Sequence, residues 1–199
     1  ILALSESIVD DDDLPRIQKD AQEIIDASNR ISEIVSDLST HARDARTLGQ
    51  STINLNDVID KAMEISKHTR NLRLVKIVKD YAKSPIVIGS TSELTQIITN
   101  FVNNAVDAMD AEGELRLSTS STKKTHTISV TDNGSGMDEA TQKKIFDPFF
   151  TTKDPGKGTG LGLHVVRKIV EKHGAKLDLK SELGKGTTFT VIFPHKKEA

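Results

Sequence analysis

The sequence contains no cysteine, and no apolar stretch in it approaches the roughly 20 residues that a membrane-spanning helix needs. Without cysteine, a disulfide framework and a thiolate metal site are both excluded, which is consistent with a reducing cytosol. Basic residues are not in excess: 27 Lys and Arg stand against 29 Asp and Glu, a formal net charge of −2. We therefore expect a cytoplasmic location, no nucleic-acid partner and no membrane segment within these residues. The start at Ile1 leaves room for an anchor upstream in a longer protein.

Composition and patterning predict two parts, 1–50 and 51–199, in a chain of 199 residues with 36 % apolar content. An acidic break at 10–13 and Pro15 precede one long helix. Its apolar or small residues are spaced alternately four and three apart, at Ile17, Ala21, Ile24, Ser28, Ile31, Val35, Leu38, Ala42 and Ala45. Such a stripe needs a partner, either the segment before Asp10 as a hairpin or a second chain, which favours a homodimer. In a plainer interpretation it packs on its own domain. Residues 49–52 end this segment and are predicted to form a hinge.

The second part interleaves helices with strands that often pair as hairpins. Helices are predicted at 55–67, with Asn54 or Asn56 as the cap, at 92–109, opened by Thr91 or Ser92, and at 139–145 and 162–173. Strands are predicted at 74–81, 86–88, 115–121, 125–131, 177–181 and 187–193. This order predicts an α+β sandwich, a mixed sheet covered by helices on one face. A Rossmann sheet is disfavoured because the glycine-rich run at 158–162 comes late and follows a loop.

Two asparagines on the 92–109 helix are candidate metal ligands. Asn100 and Asn104 are four residues apart and share a face, whereas Asn103 is placed off that face. Amide oxygens suit Mg²⁺, which keeps waters and takes further ligands from phosphates. The alternative is that they cap or hydrogen-bond a neighbouring loop. A hydrolase would need a general base one turn before the metal-binding Asn, and Asn100 cannot accept a proton. We therefore expect ATP to be held and its phosphoryl group passed to a protein side chain rather than to water.

Asp132 ends a predicted strand, and its carboxylate is suited to accept a hydrogen bond from an adenine amino group. Gly134 and Gly136 keep side chains away from the base, and Met137 offers a polarizable contact to a flat ring. A plain turn is the alternative, since Asp-Asn-Gly is a favoured turn sequence.

The aromatic run from Phe146 to Phe150 leads into a glycine-rich segment. Its rings are costly to expose, so we expect them to pack, either in the core or as the anchor of a mobile flap, which we favour. Lys153, Lys157 and Thr159 would then meet phosphate oxygens, with Lys153 preferred for the γ-phosphate. Backbone N–H groups from Gly160 to Gly162 would begin the next helix, a favourable anion site. Together with the two upstream motifs, this segment predicts an ATP-binding phosphotransfer domain.

These motifs, in this order, resemble the catalytic and ATP-binding domain of bacterial sensor histidine kinases, within the gyrase, Hsp90 and mismatch-repair ATPase superfamily that shares the Bergerat fold. The resemblance covers roughly 54–193. Phe-Asp-Pro-Phe-Phe-Thr-Thr-Lys followed by Gly-Thr-Gly-Leu-Gly-Leu is most similar to the nitrogen-regulation type. It implies ATP and Mg²⁺ as cofactors, a homodimer through the helical hairpin, and a response regulator receiver domain as partner.

The resemblance also implies roles for single residues. Asn100 and Asn104 match the box that holds Mg²⁺ and phosphates, and Asp132, Gly134 and Gly136 match the box that reads adenine. The remaining matches are Phe146 and Phe149 in the aromatic box, Gly158, Gly160 and Gly162 with Leu161 at the end of the ATP lid, and Thr187 in the last glycine box. Some members carry a basic residue three positions after the second Asn. Here it is Asp107, which leaves the phosphate-side charge to the lid.

The expected phosphoacceptor is missing from these residues. In the family it is a His followed by an acid and then a Pro, and none of the six histidines has that context. His41 precedes Ala-Arg-Asp, and we interpret it as a flanking residue of the bundle. We expect the acceptor upstream of Ile1. Other functions left open are a superfamily ATPase, a serine-directed kinase and a non-catalytic nucleotide-binding or dimerisation module.

Overall fold

The computed structural model describes residues 51–69, 72–110, 112–154 and 158–195. The long helix and hinge residues 49–50 predicted from the sequence therefore lie outside the described residues. The helices are α1 (Leu55–Thr69), α2 (Thr91–Ala108), α3 (Glu139–Gln142) and α4 (Gly162–Lys172). The strands are β1 (Ser51–Asn54), β2 (Leu74–Asp80), β3 (Ile86–Gly89), β4 (Glu112–Ser121), β5 (Thr125–Asp132), β6 (Lys176–Glu182) and β7 (Gly186–Pro194). No helix within the described ranges combines the length and apolarity needed to cross a bilayer.

A five-stranded mixed sheet in the order β2-β4-β5-β7-β6 forms the centre of the fold. Only β2 and β4 run parallel, and the other neighbours are antiparallel. Inward residues such as Leu117, Val130 and Val191 are almost fully buried beneath the helices. The outer face carries hydroxyl pairs, including Ser129 with Thr190 at 2.9 Å. The predicted α+β sheet covered on one face by helices is confirmed.

Strand β1 departs from the prediction, whereas β3 matches the strand predicted at 86–88. Ser51 and Thr52, placed in the hinge, begin β1, which pairs antiparallel with β3 in a separate two-stranded sheet. A four-residue strand is too short to show a periodic pattern, and its partner lies more than thirty residues away, so local sequence does not reveal the pair. The prediction that 51–52 belong to a hinge is therefore wrong.

The start of helix α2 is fixed by its neighbours. Ser90, rather than Thr91 or Ser92, is the cap, and its hydroxyl accepts from the Glu93 N–H at 3.4 Å. The Glu93 side chain is 7 % exposed and pairs with Lys172, while His173 Nε2 accepts from the Ser90 N–H at 3.2 Å. Since Lys172 and His173 end α4, the start of α2 lies against the end of α4, and the helices run antiparallel.

Helix α4 ends in a glycine cap at Gly174. The Ala175 N–H donates to the Val170 carbonyl at 3.1 Å and the Gly174 N–H to that of Glu171 at 3.0 Å, a Schellman motif with Gly174 at φ +63°. Helix α3 is shorter than predicted, because α-helical structure ends at Gln142 and turns follow. In the core, the Phe101 ring of α2 stacks on Phe189 of β7 with centroids 4.6 Å apart.

Candidate active site

A cavity of about 710 Å³ opens beside α2, within the size range of small-molecule sites. Its wall combines α2, the turn after β5, the ends of the aromatic and glycine-rich segments, and β7. The predicted site residues that line it are Asn100, Asn104, Asp107, Asp132, Gly136, Met137, Lys153, Gly158, Thr159, Gly160 and Gly162, with Thr187. Residues almost 90 positions apart thus meet at one cavity.

The polar face of α2 is broader than predicted. Asn103 also lines the cavity, and its Oδ1 is buried without a hydrogen-bond partner among the described residues. Placing Asn103 off this face was wrong, because positions three apart share a helix face as do positions four apart. Asn100, Asn103, Asn104 and Asp107 therefore form one polar face, and the orphaned amide oxygen favours a donor or a cation from a ligand.

Asp132 is held rigidly at the end of β5. It is only 6 % exposed, and its Oδ1 accepts from the backbone N–H groups of Gly134 at 2.9 Å and Thr187 at 3.2 Å. Burial is the main cause of a raised pKa for this carboxyl, and the two backbone hydrogen bonds oppose it. Within the described ranges both of these bonds fall on Oδ1, so Oδ2 is left to accept from a donor in the cavity.

Gly134 is absent from the cavity wall, but its N–H holds Asp132, and it packs tightly below the turn. A Cβ on Gly134 would lie 2.6 Å from the Ala108 carbonyl oxygen, which explains why no side chain fits there. Gly136 is more constrained, because it has φ +62° and its Cβ would lie 2.0 Å from the Glu182 carbonyl oxygen.

Hydrogen bonds from residues outside the predicted motifs hold Met137 in the cavity wall. Ser181 Oγ accepts from the Met137 N–H at 2.9 Å and lies 3.0 Å from Thr187 Oγ1. Gln142 Nε2 donates to the carbonyls of Met137 at 2.9 Å and Ser181 at 3.0 Å. Ser181 and Gln142 are therefore positioning residues missed by sequence reasoning, since nothing local to either residue signals the contact.

The aromatic segment divides its rings between the core and solvent. Phe146 and Phe150 pack against the core, and Phe150 also lines the cavity. Phe149 does not line the cavity; it is 73 % exposed and has φ +67°, so the expectation that all these rings pack is wrong for it. The backbone of Phe149, rather than its ring, makes the contact, because its N–H donates to the Gly160 carbonyl at 3.0 Å.

The glycine-rich segment lines the cavity at Gly158, Thr159, Gly160 and Gly162. Gly162 opens α4, and a Cβ there would lie 2.8 Å from Asn100 Oδ1, so the two motifs are in direct contact. Leu161 is the N-cap residue and gives no side-chain hydrogen bond, which leaves the first N–H groups of α4 available to an anion. Leu161 itself is not on the cavity wall, and Lys157 lies outside the described residues.

Lys153 carries a positive charge to the polar face of α2. Its Nζ lies 2.5 Å from Asp107 Oδ2 and 3.2 Å from Asn104 Oδ1. Lys153, which is expected to meet the phosphates, is thus already paired with Asp107, 46 positions away in sequence.

Comparison with known proteins agrees with this geometry. Residues 89–197 match the model of the histidine kinase-, DNA gyrase B- and HSP90-like ATPase family. The chain belongs to this family. It is 34 % identical over 90 % of its length to a putative sensor protein of Shewanella frigidimarina, of which it spans 28 %. It is 33 % identical over 87 % of its length to the sensor histidine kinase ZraS of Escherichia coli, of which it spans 37 %.

Solved structures show the same fold. A nucleotide-free form of the catalytic domain of histidine kinase ThkA superposes with a TM-score of 0.66 at 28 % identity, covering 74 % of this chain and 96 % of that one. The predicted resemblance to the catalytic domain of sensor histidine kinases is confirmed, and the nitrogen-regulation subtype stays a prediction. Because the chain spans only about a third of these curated relatives, the activity of a whole protein belongs with the proposals below.

Proposed function

We propose that this chain binds Mg-ATP in the cavity beside α2 and transfers the γ-phosphoryl group to a histidine on an upstream helix, for relay to a response regulator. One observation carries the proposal: a single cavity collects the asparagine face, a buried carboxylate with one uncommitted oxygen, and the glycine-flanked start of α4. Each of these suits a different part of the nucleotide. Membership of an ATPase family that includes histidine kinases supports the proposal.

The residues fit a magnesium-bound nucleotide. Asn103 Oδ1 is a buried acceptor without a partner among the described residues, and Asn100 and Asn104 add neutral oxygens on the same face. Mg²⁺ prefers oxygen ligands and keeps several waters beside the phosphates, which suits amides better than a closed carboxylate cage. When bound, the metal neutralises charge on the phosphates.

Recognition of the base is assigned to the part of the cavity wall formed by Asp132, Met137 and Thr187. Asp132 Oδ2 would accept from the adenine amino group, and Met137 and Thr187, fixed by Ser181, would bound the ring. A desolvated carboxylate makes a stronger hydrogen bond than a solvated one, so burial of Asp132 favours selectivity.

Phosphate binding is assigned to α4 and to the lysine side. The N–H groups at the start of α4 and the Lys153 ammonium would meet the phosphates, with Lys153 preferred for the γ-phosphate. Asn100 contributes as a catalytic residue by positioning rather than by proton transfer, because an amide is not a base. Neither carboxylate on the described cavity wall is assigned to water, because Asp107 pairs with Lys153 and Asp132 Oδ2 is assigned to the adenine amino group. This arrangement disfavours activation of water and favours transfer to an incoming side chain.

We further propose that residues 1–50 belong to a dimerisation and phosphotransfer hairpin, that 51–199 form the catalytic domain, and that the protein acts as a homodimer in the cytoplasm, with no nucleic-acid partner. The heptad-like spacing from Ile17 to Ala45 supports the dimer, and the names of relatives such as ZraS support the signalling role.

The test is phosphorylation of the full-length protein with ATP labelled at the γ-phosphate. We expect a phosphoprotein whose label is lost in acid and kept in base, and no label in the Asn104→Ala variant. Acid-stable label would instead indicate a serine-directed kinase, and phosphate release without label would indicate an ATPase. ATP binding with neither would indicate a non-catalytic module, and each of these results would overturn the proposal.

A further inference from the structure

The contact between Lys153 and the face of α2 joins a loop to a helix by charge. Lys153 Nζ reaches Asp107 Oδ2 at 2.5 Å and Asn104 Oδ1 at 3.2 Å, and the two side chains of the ion pair are 30 % and 25 % exposed. Asn104 and Asp107 are one turn apart on α2, so a single ammonium bridges both. The pair is thus shielded enough to hold a defined geometry and open enough to exchange.

A carboxylate is an unexpected neighbour for a polyphosphate, because like charges at this range repel. Asp107 lines the same cavity as Asn100 and Asn104 and would weaken anion binding if it stood without a cation. In the structure the Lys153 ammonium neutralises it. The ammonium also occupies Asn104 Oδ1, the atom that we assign to the metal, so one acceptor serves two different cations.

We propose that Asp107 is a positioning residue that holds the Lys153 ammonium against Asn104 before the nucleotide binds. Binding of Mg-ATP would then exchange the ammonium at Asn104 for Mg²⁺. This inference rests on the proposed nucleotide site. With Mg-ATP bound, the Lys153 ammonium would move from the α2 face to the phosphates, and Asn104 would be available to hold the metal. The carboxylate thereby keeps the lysine beside the site before the nucleotide arrives.

The first test measures how readily the Lys153 amine is acylated, by mass spectrometry, relative to the exposed Lys143 of the same molecule. Asp107→Asn removes the charge with little change of shape, and we expect Lys153 to react about two- to five-fold faster, the range of a partly exposed ion pair. Asp110→Asn is the matched control: it removes the same charge just beyond α2, at an exposed position with φ +51°, which Asn tolerates. It should leave the rate unchanged.

The second test follows ATP affinity by calorimetry with and without Mg²⁺. Lys153→Met should weaken metal-free ATP several-fold more than Mg-ATP, because the metal replaces the missing cation on the α2 face. The double variant Asp107→Asn/Lys153→Met should recover much of the affinity for metal-free ATP. The changes that the two single substitutions cause in binding free energy should therefore not add up to that of the double variant. A pair that only stabilises the fold would shift both forms of ATP equally.

Failure of this inference is distinguishable from failure of the proposed function. If ATP binds but Asp107→Asn leaves the acylation rate of Lys153 as Asp110→Asn does, or fails to restore metal-free ATP affinity to Lys153→Met, the positioning role is refuted while the nucleotide site stands. If neither form of ATP binds to the unaltered protein, the nucleotide site is refuted, and with it the cation exchange, whatever the acylation rates.

Discussion

Replacement of Asp132 by asparagine should remove the preference for adenine without weakening the fold. The new amide would keep its Oδ1 as the acceptor for the N–H groups of Gly134 and Thr187, which lie 2.9 and 3.2 Å from the present Oδ1. The amide Nδ2 would then take the place of Oδ2. Two donors would face each other where the carboxylate is expected to accept from the adenine amino group.

The magnitude follows from the loss of a hydrogen bond to a charged group, about 1.5–3 kcal/mol. At about 1.4 kcal/mol per factor of ten, the dissociation constant for Mg-ATP should rise roughly 10- to 150-fold. The opposed donors place the result toward the upper end. Guanine presents an oxygen where adenine carries its amino group, so affinity for GTP should fall less than that for ATP.

The free energy of unfolding, unlike the affinity for Mg-ATP, should not fall in Asp132→Asn. Burial raises the pKa of Asp132, so the folded state prefers the protonated form, and the ionised carboxylate lowers the free energy of unfolding at pH 7. This penalty is present above the folded-state pKa and vanishes as the pH falls below the unfolded value. The uncharged asparagine escapes it, so urea denaturation should show an unfolding free energy no lower than that of the unaltered protein.

The assay is calorimetric titration of both proteins with Mg-ATP and Mg-GTP, alongside urea denaturation to confirm the fold. Unchanged ATP affinity in a folded Asp132→Asn variant would refute the assignment of Asp132 to adenine. Loss of binding together with a large loss of stability would show instead that the carboxylate acts through the fold.

Three further predictions concern the same cavity. Gly184→Ala should lower the free energy of unfolding, measured in urea, by about 1 kcal/mol, because φ is +78° there although no atom lies within 4 Å of the added Cβ. Gly136→Ala should lower it by about 1–3 kcal/mol more, because its Cβ also meets the Glu182 carbonyl oxygen. Equal losses in the two variants would contradict the clash. Gln142→Ala should raise the dissociation constant for Mg-ATP about two- to ten-fold, because it removes the hydrogen bond that holds the Met137 carbonyl. The control Lys143→Ala, at the exposed neighbouring position, should leave the constant unchanged. Equal effects would show that Gln142 does not position the site. Affinity for Mg-ATP should fall as acid protonates Asp132, beginning above the ordinary pKa of an aspartate because burial raises it, and calorimetry should show no such component in Asp132→Asn.

Local patterns were sufficient where a feature depends on neighbours in sequence. The spacing of apolar residues predicted α2 and α4, and the glycine boxes identified the turn after β5 and the start of α4. Each of these signals is contained within about twenty residues, so one sequence reveals it.

Features that depend on distant partners were not predictable in this way. Ser181 and Gln142 hold Met137 from separate elements, and neither carries a motif. Phe149 contacts Gly160 through its backbone and exposes its ring, whereas composition alone argued for burial. The pairing of Lys153 with Asp107 likewise depends on how α2 and the loop meet, which spacing does not encode.

The hydrogen bond from the Phe149 N–H to the Gly160 carbonyl ties together two points eleven residues apart. Between these two points, Phe150, Lys153, Gly158 and Thr159 line the cavity, so much of the segment belongs to the site. The bond closes the segment into a loop and fixes where α4 begins. Because the entropic cost of closing a loop grows slowly with its length, residues added at 155–157 should be tolerated better than a side chain at Gly160, whose Cβ would lie 2.4 Å from the Phe149 carbonyl carbon.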